Sequence, residues 1–173
     1  MVGYLDGERP ATHEARGERE TLVAFLELYR WTLERKCDGL TPDQLAERSV
    51  PPSTLSLLGL LRHMAEVERV WFRTWAGQRT QGRYFSKDDP DGDFDNVAAD
   101  DAQVVDAVAF WHGEIDHARA VAASHDLDDT YVHPRWETEI SLRWILIHMI
   151  EEYARHCGHA DFLRERIDGV TGD

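Results

Sequence analysis

The stretch HMIEEYARHCGH sets His148, Glu152, His156 and His159 at steps of four, four and three. Wound as a helix at ~100° per residue, these four groups share one sector about 80° wide. Imidazole and carboxylate together suit a divalent first-row ion, and a spacing of four brings two donors to the same side of one ion. On the same wheel Leu142, Ile145, Met149, Tyr153, Ala160 and Leu163 overlap that sector, so the titratable groups face the core or its rim. Such groups need hydrogen bonds, charge partners or a metal, because an unpaired buried charge costs several kcal/mol.

A partner for this stretch stands earlier in the chain. His63 precedes Met64 and flanks the apolar stripe Leu60, Met64, Val67 and Trp71. One ligand from that helix and two from the last would form a three-ligand site in a bundle core, with positions left for water or substrate. Each residue also has a plainer explanation: His63 as a core histidine bonded to a carbonyl, Glu152 as the ion-pair partner of Arg155 or Arg166. The coincidence of four titratable groups in one sector brings the metal level with these explanations.

The elements that must position these residues follow from hydrophobic periodicity and capping signals. Leu22, Phe25, Leu26, Tyr29 and Leu33 predict a first long helix over 19–37. Thr41-Pro42-Asp43-Gln44 is a capping box that opens a short helix ending before Pro51-Pro52. A second long helix is expected over 54–77, capped by Ser53 or Thr54 and closed by Gly77. Residues 78–100, rich in Asp and Gly, predict a long irregular connection that covers an opening. Val104, Val105, Val108, Trp111, Ile115 and Ala118 place a third helix over 101–125, and Ser141 caps a fourth over 141–168. The expected fold class is all-α: one domain over 1–173, a four-helix bundle with long connections, in which 1–15 is a flexible or dimer-contacting segment.

Composition bounds the function. The 173 residues are 42% hydrophobic and 30% charged, with a net charge of −14. That charge argues against nucleic acid and against anionic membranes as partners. The apolar runs are short, LSLLGLL at 55–61 being an example, and MVGYLDGERP has no signal-peptide pattern, so a cytoplasmic location is expected. Cys37 and Cys157 form no CxxC and are read as reduced thiols. Cys157 lies ~100° around the helix from His156, which suits a structural thiol. Trp71, Trp75 and Trp111 are candidates to line a pocket beside the metal. DDPDGD at 88–93 lacks the closing Glu of a calcium loop and is read as solvated. His112, His117, His125 and His133 are assigned to surface or loops, and Asp161, Arg164 and Glu165 to ion pairs at the end of the last helix.

LLGLLRHMAEVERVWF followed by LRWILIHMIEEYARHCGHADFLRERIDG resembles the DinB-like superfamily, in particular a branch of small actinobacterial proteins related to mycothiol-dependent maleylpyruvate isomerases. The resemblance implies a four-helix bundle that binds a divalent metal through one His on the second helix and a HxxxH pair on the last. Here the pair reads Glu152-x-x-x-His156, the Glu-for-His replacement also found in those isomerases. The ligand role therefore passes to His63, Glu152 and His156, with His148 and His159 as outer partners or an extra ligand. Zinc is the first expectation for the ion, with nickel, iron or manganese as alternatives. The implied chemistry is S-transfer or thiol-dependent isomerisation, with a small-molecule thiol and an electrophile as partners. A chain rich in Ala, Arg, Asp and Val suits a high-GC genome, and so mycothiol as the thiol. The resemblance also implies a homodimer. A different class of function remains open beside this one: a non-catalytic metal-binding or structural bundle acting through protein interactions, in a stress response for example.

Overall fold

The computed structural model describes residues 7–78 and 81–172; expectations falling on 1–6, 79–80 and 173 lie outside the described residues. Helix α1 spans Glu18–Cys37, with acidic residues in its first turn and Arg35 and Lys36 in its last, as the helix dipole favours. Helix α2, Pro42–Ala46, carries the expected capping box: the Thr41 side chain accepts from the Gln44 amide, and the Thr41 amide donates to the Gln44 side chain. Helix α3 spans Leu57–Glu68 and continues as a π-helical turn over Arg69–Arg73. Its cap is Ser56, which accepts from the Gly59 amide at 3.1 Å, and not Ser53 or Thr54. Ser53 instead accepts from the Leu55 amide at 3.2 Å, which holds 53–55 outside the helix.

Helix α5 spans Asp101–Ser124 and α6 spans Leu142–Asp168, the latter capped by Ser141 and stopped at Gly169, whose φ of 78° a glycine adopts without strain. Besides the π-helical turn, further short elements were not expected. A four-residue helix α4, Gly92–Asp95, interrupts the long connection, and a hairpin of β1 (Thr130–Val132) and β2 (Glu139–Ser141) pairs Tyr131 with Ile140. Three-residue strands around a Pro-containing turn carry too little alternation to read from sequence. The protein is nonetheless an all-α bundle with a minor hairpin.

Among the four long helices, α1 packs against α6 and α3 against α5, with α3 also meeting α6. Leu33, Leu60, Met64, Trp111, Ile115, Ile145, Met149 and Tyr153 are fully buried between them. Phe25 and Val105, expected in buried stripes, sit at helix edges in solvent. A buried polar chain crosses the core: Trp111 Nε1 donates to Tyr153 Oη at 2.8 Å, Tyr153 Oη donates to Glu68 Oε1 at 2.8 Å, and Glu68 takes two 2.8 Å bonds from Arg30. One residue comes from each long helix. Burial works against the Arg30 charge, but Glu68 and Glu27 outweigh it and hold the guanidinium above its ordinary range. Glu68 lies five residues after His63, and Tyr153 adjoins Glu152. The chain of bonds therefore fixes the register of α3 against α6 close to the candidate ligands.

The long connection is fastened to α3. Buried Glu66 accepts from the backbone amides of Arg83 and Tyr84 and from Arg69, and Arg62 donates to the carbonyls of Gly92 and Asn96. Gly59 permits the approach, since a Cβ there would lie 3.2 Å from the Phe94 ring. Among the described residues, no helix is long and apolar enough to cross a membrane.

Candidate metal centre

Helices α3 and α6 bring His63, Glu152 and His156 together, with one ligand atom from each lying within 4.8 Å of the others. His156 Nε2 is 3.5 Å from Glu152 Oε2. Donors bound at ~2.1 Å to one tetrahedral ion lie about 3.4 Å apart, so the helical pair already has ligand spacing and His63 needs only a small side-chain adjustment. Two imidazoles and a carboxylate form a borderline donor set suited to zinc, nickel, iron or manganese. The residues present thus fit a divalent ion.

Both imidazoles have a partner on the far nitrogen. His63 Nδ1 lies 2.8 Å from Asp93 Oδ2, and Asp93 is itself buried. With the Nδ1 proton donated to this carboxylate, the lone pair of His63 stands on Nε2. Phe94 stacks on the same ring at 4.8 Å. His156 Nδ1 lies 3.4 Å from His159 Nδ1, while its Nε2 faces Glu152. His159 therefore contacts the side of the His156 ring opposite the triad, as an outer partner would. Burial first, then His63, His159 and Arg155, push His156 down to about 3, with Asp93 opposing. The imidazole is neutral at neutral pH, and its lone pair is available.

His148 sits one turn before Glu152, its Nε2 3.6 Å from Glu152 Oε1 and its Nδ1 3.2 Å from Glu151 Oε2. His148, Glu151 and Glu152 form a second, more exposed group of possible ligands. Glu152 also faces Arg155 at 3.9 Å, a weaker contact than Arg155 makes with Glu151.

The Trp residues divide. Trp71 meets His148 at 4.6 Å between ring centroids, whereas Trp111 is locked in the core network and Trp75 packs on His125 at 4.6 Å. His112 corrects its expected surface assignment: it is buried, with Nε2 3.1 Å from Glu34. Cys157 is buried, and burial pushes its thiol up to about 12, as suits a structural residue. Asp161 pairs with Lys36 at 2.7 Å and Arg164 with Asp168 at 2.9 Å.

Asp93, buried and bonded to His63, is a residue of the candidate centre that sequence reasoning missed. Nothing in DDPDGD marks one of its four aspartates as buried; the aromatic Phe94 that follows is the only local hint that this end of the loop docks.

A crystal structure described as the conserved protein of locus from Enterococcus faecalis aligns with a TM-score of 0.67, covering 90% of this chain and 100% of that one at 14% identity. At that identity the likeness speaks for the fold alone. No curated protein matches the chain. A sequence model of the mycothiol-S-transferase family matches residues 21–169, from the first turn of α1 through the end of α6, with His63, Asp93, Glu152 and His156 inside the match. The chain belongs to the mycothiol-S-transferase family.

Proposed function

We propose that the protein joins a small thiol of the mycothiol kind, through its sulfur, to an electrophile, with a divalent ion, zinc first, held by His63, Glu152 and His156. Family membership supports the thiol and the transfer. The observation that carries the metal is the convergence of three donors within 4.8 Å, with both imidazoles bonded behind. When bound, such an ion supplies positive charge that makes a thiol acidic at neutral pH. The chain does the rest. Asp93 and His159 orient the two imidazoles, and Glu152 supplies the one anionic donor. His148, adjoining Glu152, is a base beside the triad that can accept a proton at Nε2. The fastened 83–96 segment walls one flank of His63 from water.

The competing reading is a structural site closed by a fourth protein ligand. His148 and His159 are the residues to consider: the contact of His159 with Nδ1 of His156 puts it behind the ring, whereas His148 Nε2, 3.6 Å from Glu152 Oε1, is near enough to close the site. X-ray absorption on zinc-loaded protein decides between three protein donors plus water and four protein donors. His63→Ala and His156→Ala should lose stoichiometric zinc, while Cys157→Ala should keep it. Assays with mycothiol, bacillithiol and glutathione against electrophilic acceptors should then show thiol consumption that depends on the ion. Full zinc content in His63→Ala would overturn the ligand assignment, and no turnover with any of the thiols would overturn the transferase reading.

A further inference from the structure

Next to the triad lies a surface of stacked rings that core packing does not account for. Trp71, Trp136 and Trp144 are mutual neighbours, with centroids 5.3 Å apart for Trp71–Trp144 and 5.9 Å apart for the two pairs involving Trp136. His133 stacks on Trp136 at 4.2 Å, and His148 stacks on Trp144 at 5.0 Å with an interplanar angle of 19°. His148 also meets Trp71 edge-on at 4.6 Å and lies 3.6 Å from Glu152. The rings thus run unbroken from solvent to a candidate ligand.

Three separate parts of the chain converge to build this surface: the turn after α3, the hairpin and the start of α6. Trp136 is 50% exposed and Trp144 40%, so large apolar faces are left in water beside the site. Exposed apolar patches of this kind mark interaction surfaces. Trp71 sits in the π-helical turn Arg69–Arg73, and the paired Arg73–Glu114 bonds at 2.6 and 2.9 Å tie that turn to α5. Turns of this type are rare within helices and gather at functional sites.

The ring geometry selects the ligand. A cage for a quaternary ammonium needs rings around an empty centre. Here the rings pack on one another by face and by edge, and Trp136 and Trp144 keep part of their surface in solvent, which is a platform for a flat apolar body. His148 is four residues from Glu152, ~6 Å along the helix axis, and Trp144 is ~12 Å away. A ring lying over Trp144 and His148, with its reactive carbon a few bonds away, reaches the triad.

We propose that this platform is the acceptor subsite and that it takes the aromatic body of an electrophile. The reaction assigned to it rests on the transferase reading above; binding at the platform does not. For an activated alkene, the thiol S–H bond breaks and an S–C bond forms at the terminal alkene carbon. The π pair becomes a C–H bond on the adjacent carbon, using the proton the thiol gave up, carried by solvent. No oxidant or leaving group is needed.

The test uses N-phenylacrylamide and N-methylacrylamide as acceptors and unreactive N-phenylpropanamide as a binding probe, on the full chain with and without zinc. N-phenylpropanamide should shift the indole N–H resonances of Trp136 and Trp144 in both forms. Its Kd should rise about tenfold in Trp136→Ala and in Trp144→Ala. Phe162→Ala, 18 residues beyond Trp144 on α6 and ~27 Å along its axis, should leave that Kd unchanged. With mycothiol, the rate preference for the phenyl over the methyl acceptor should fall about tenfold in each Trp variant. If N-phenylpropanamide shifts neither indole, if tetramethylammonium shifts them in its place, or if the preference is unchanged in the Trp136→Ala/Trp144→Ala double variant, the platform assignment is overturned. Probe binding without turnover for any thiol supports the platform and overturns the transferase reading alone. Turnover without probe binding does the reverse.

Discussion

Replacing Asp93 with Asn changes the candidate centre without touching a ligand. Asp93 Oδ2 faces His63 Nδ1 at 2.8 Å, its Oδ1 accepts from the Phe94 amide at 3.1 Å, and the residue is 4% exposed. Asn keeps an acceptor oxygen, so the ring stays placed, but the negative charge that makes Nε2 a better donor is gone. Loss of such an outer partner weakens metal affinity about 10- to 100-fold, ~1.4–2.8 kcal/mol. Because the amide preserves the bond, Asp93→Asn should fall near tenfold. Asp93→Ala, which also frees the ring to rotate, should approach a hundredfold. Competition titration of zinc against a chromophoric chelator measures the loss, and urea unfolding of the metal-free variants measures any general damage. The contrast between the two variants isolates the cause: Asp93→Ala should weaken zinc binding more than Asp93→Asn, because only the amide keeps an acceptor for His63 Nδ1. Affinity within twofold of wild type in Asp93→Ala, or an equal loss in Asp93→Asn and Asp93→Ala, would refute the coupling.

Glu68→Gln leaves Arg30 buried with Glu27 as its remaining carboxylate, and should destabilise by ~3 kcal/mol, the low end for a broken buried pair. Urea unfolding should show Arg30→Met/Glu68→Leu recovering most of that loss; a double variant as weak as the single one would contradict the assignment. Burial pushes the Glu27 carboxyl up, but Arg119 and Arg30 outweigh it and hold it below the ordinary range. The folded form therefore binds fewer protons there than the unfolded one. Its contribution is complete above ~4.3 and is lost as pH falls through the folded value. Urea midpoints of the protein and of Glu27→Gln should converge in acid, and a gap that widens as pH falls would count against this. A homodimer is expected from the superfamily resemblance, and sedimentation at micromolar concentration should give twice the chain mass; a monomer would remove that expectation.

The four long helices were legible because each repeats its apolar residues over several turns, and the caps at Thr41 and Ser141 were legible because capping is local chemistry. The spacing on α6 and His63 at the edge of the α3 stripe marked out the candidate donors, and the family resemblance singled out His63, Glu152 and His156, which the fold gathers, from His148 and His159. Asp93 was not, since its role depends on where a 23-residue connection docks, and that docking is set by Glu66, Arg62 and Gly59 on another element. The start of α3 was misplaced by a few residues because Ser53, Thr54 and Ser56 all have capping chemistry and only packing chooses among them. Trp71 was a candidate by residue type, but its aim at His148 follows from the π-helical turn, and hydrophobic periodicity gives no sign of that turn.

Glu66 also governs how slowly part of the molecule opens. The amides of Arg83 and Tyr84 belong to no helix or strand, yet their hydrogens are held by a carboxylate buried on α3. In deuterated solvent these two amides should exchange as slowly as those of α3 rather than at the rate of an ordinary loop, because freeing them requires Glu66 to let go. A protease offered this stretch would meet the same barrier. An irregular segment thus inherits the lifetime of the helix beneath it, and the wall beside His63 lasts as long as α3 stays folded.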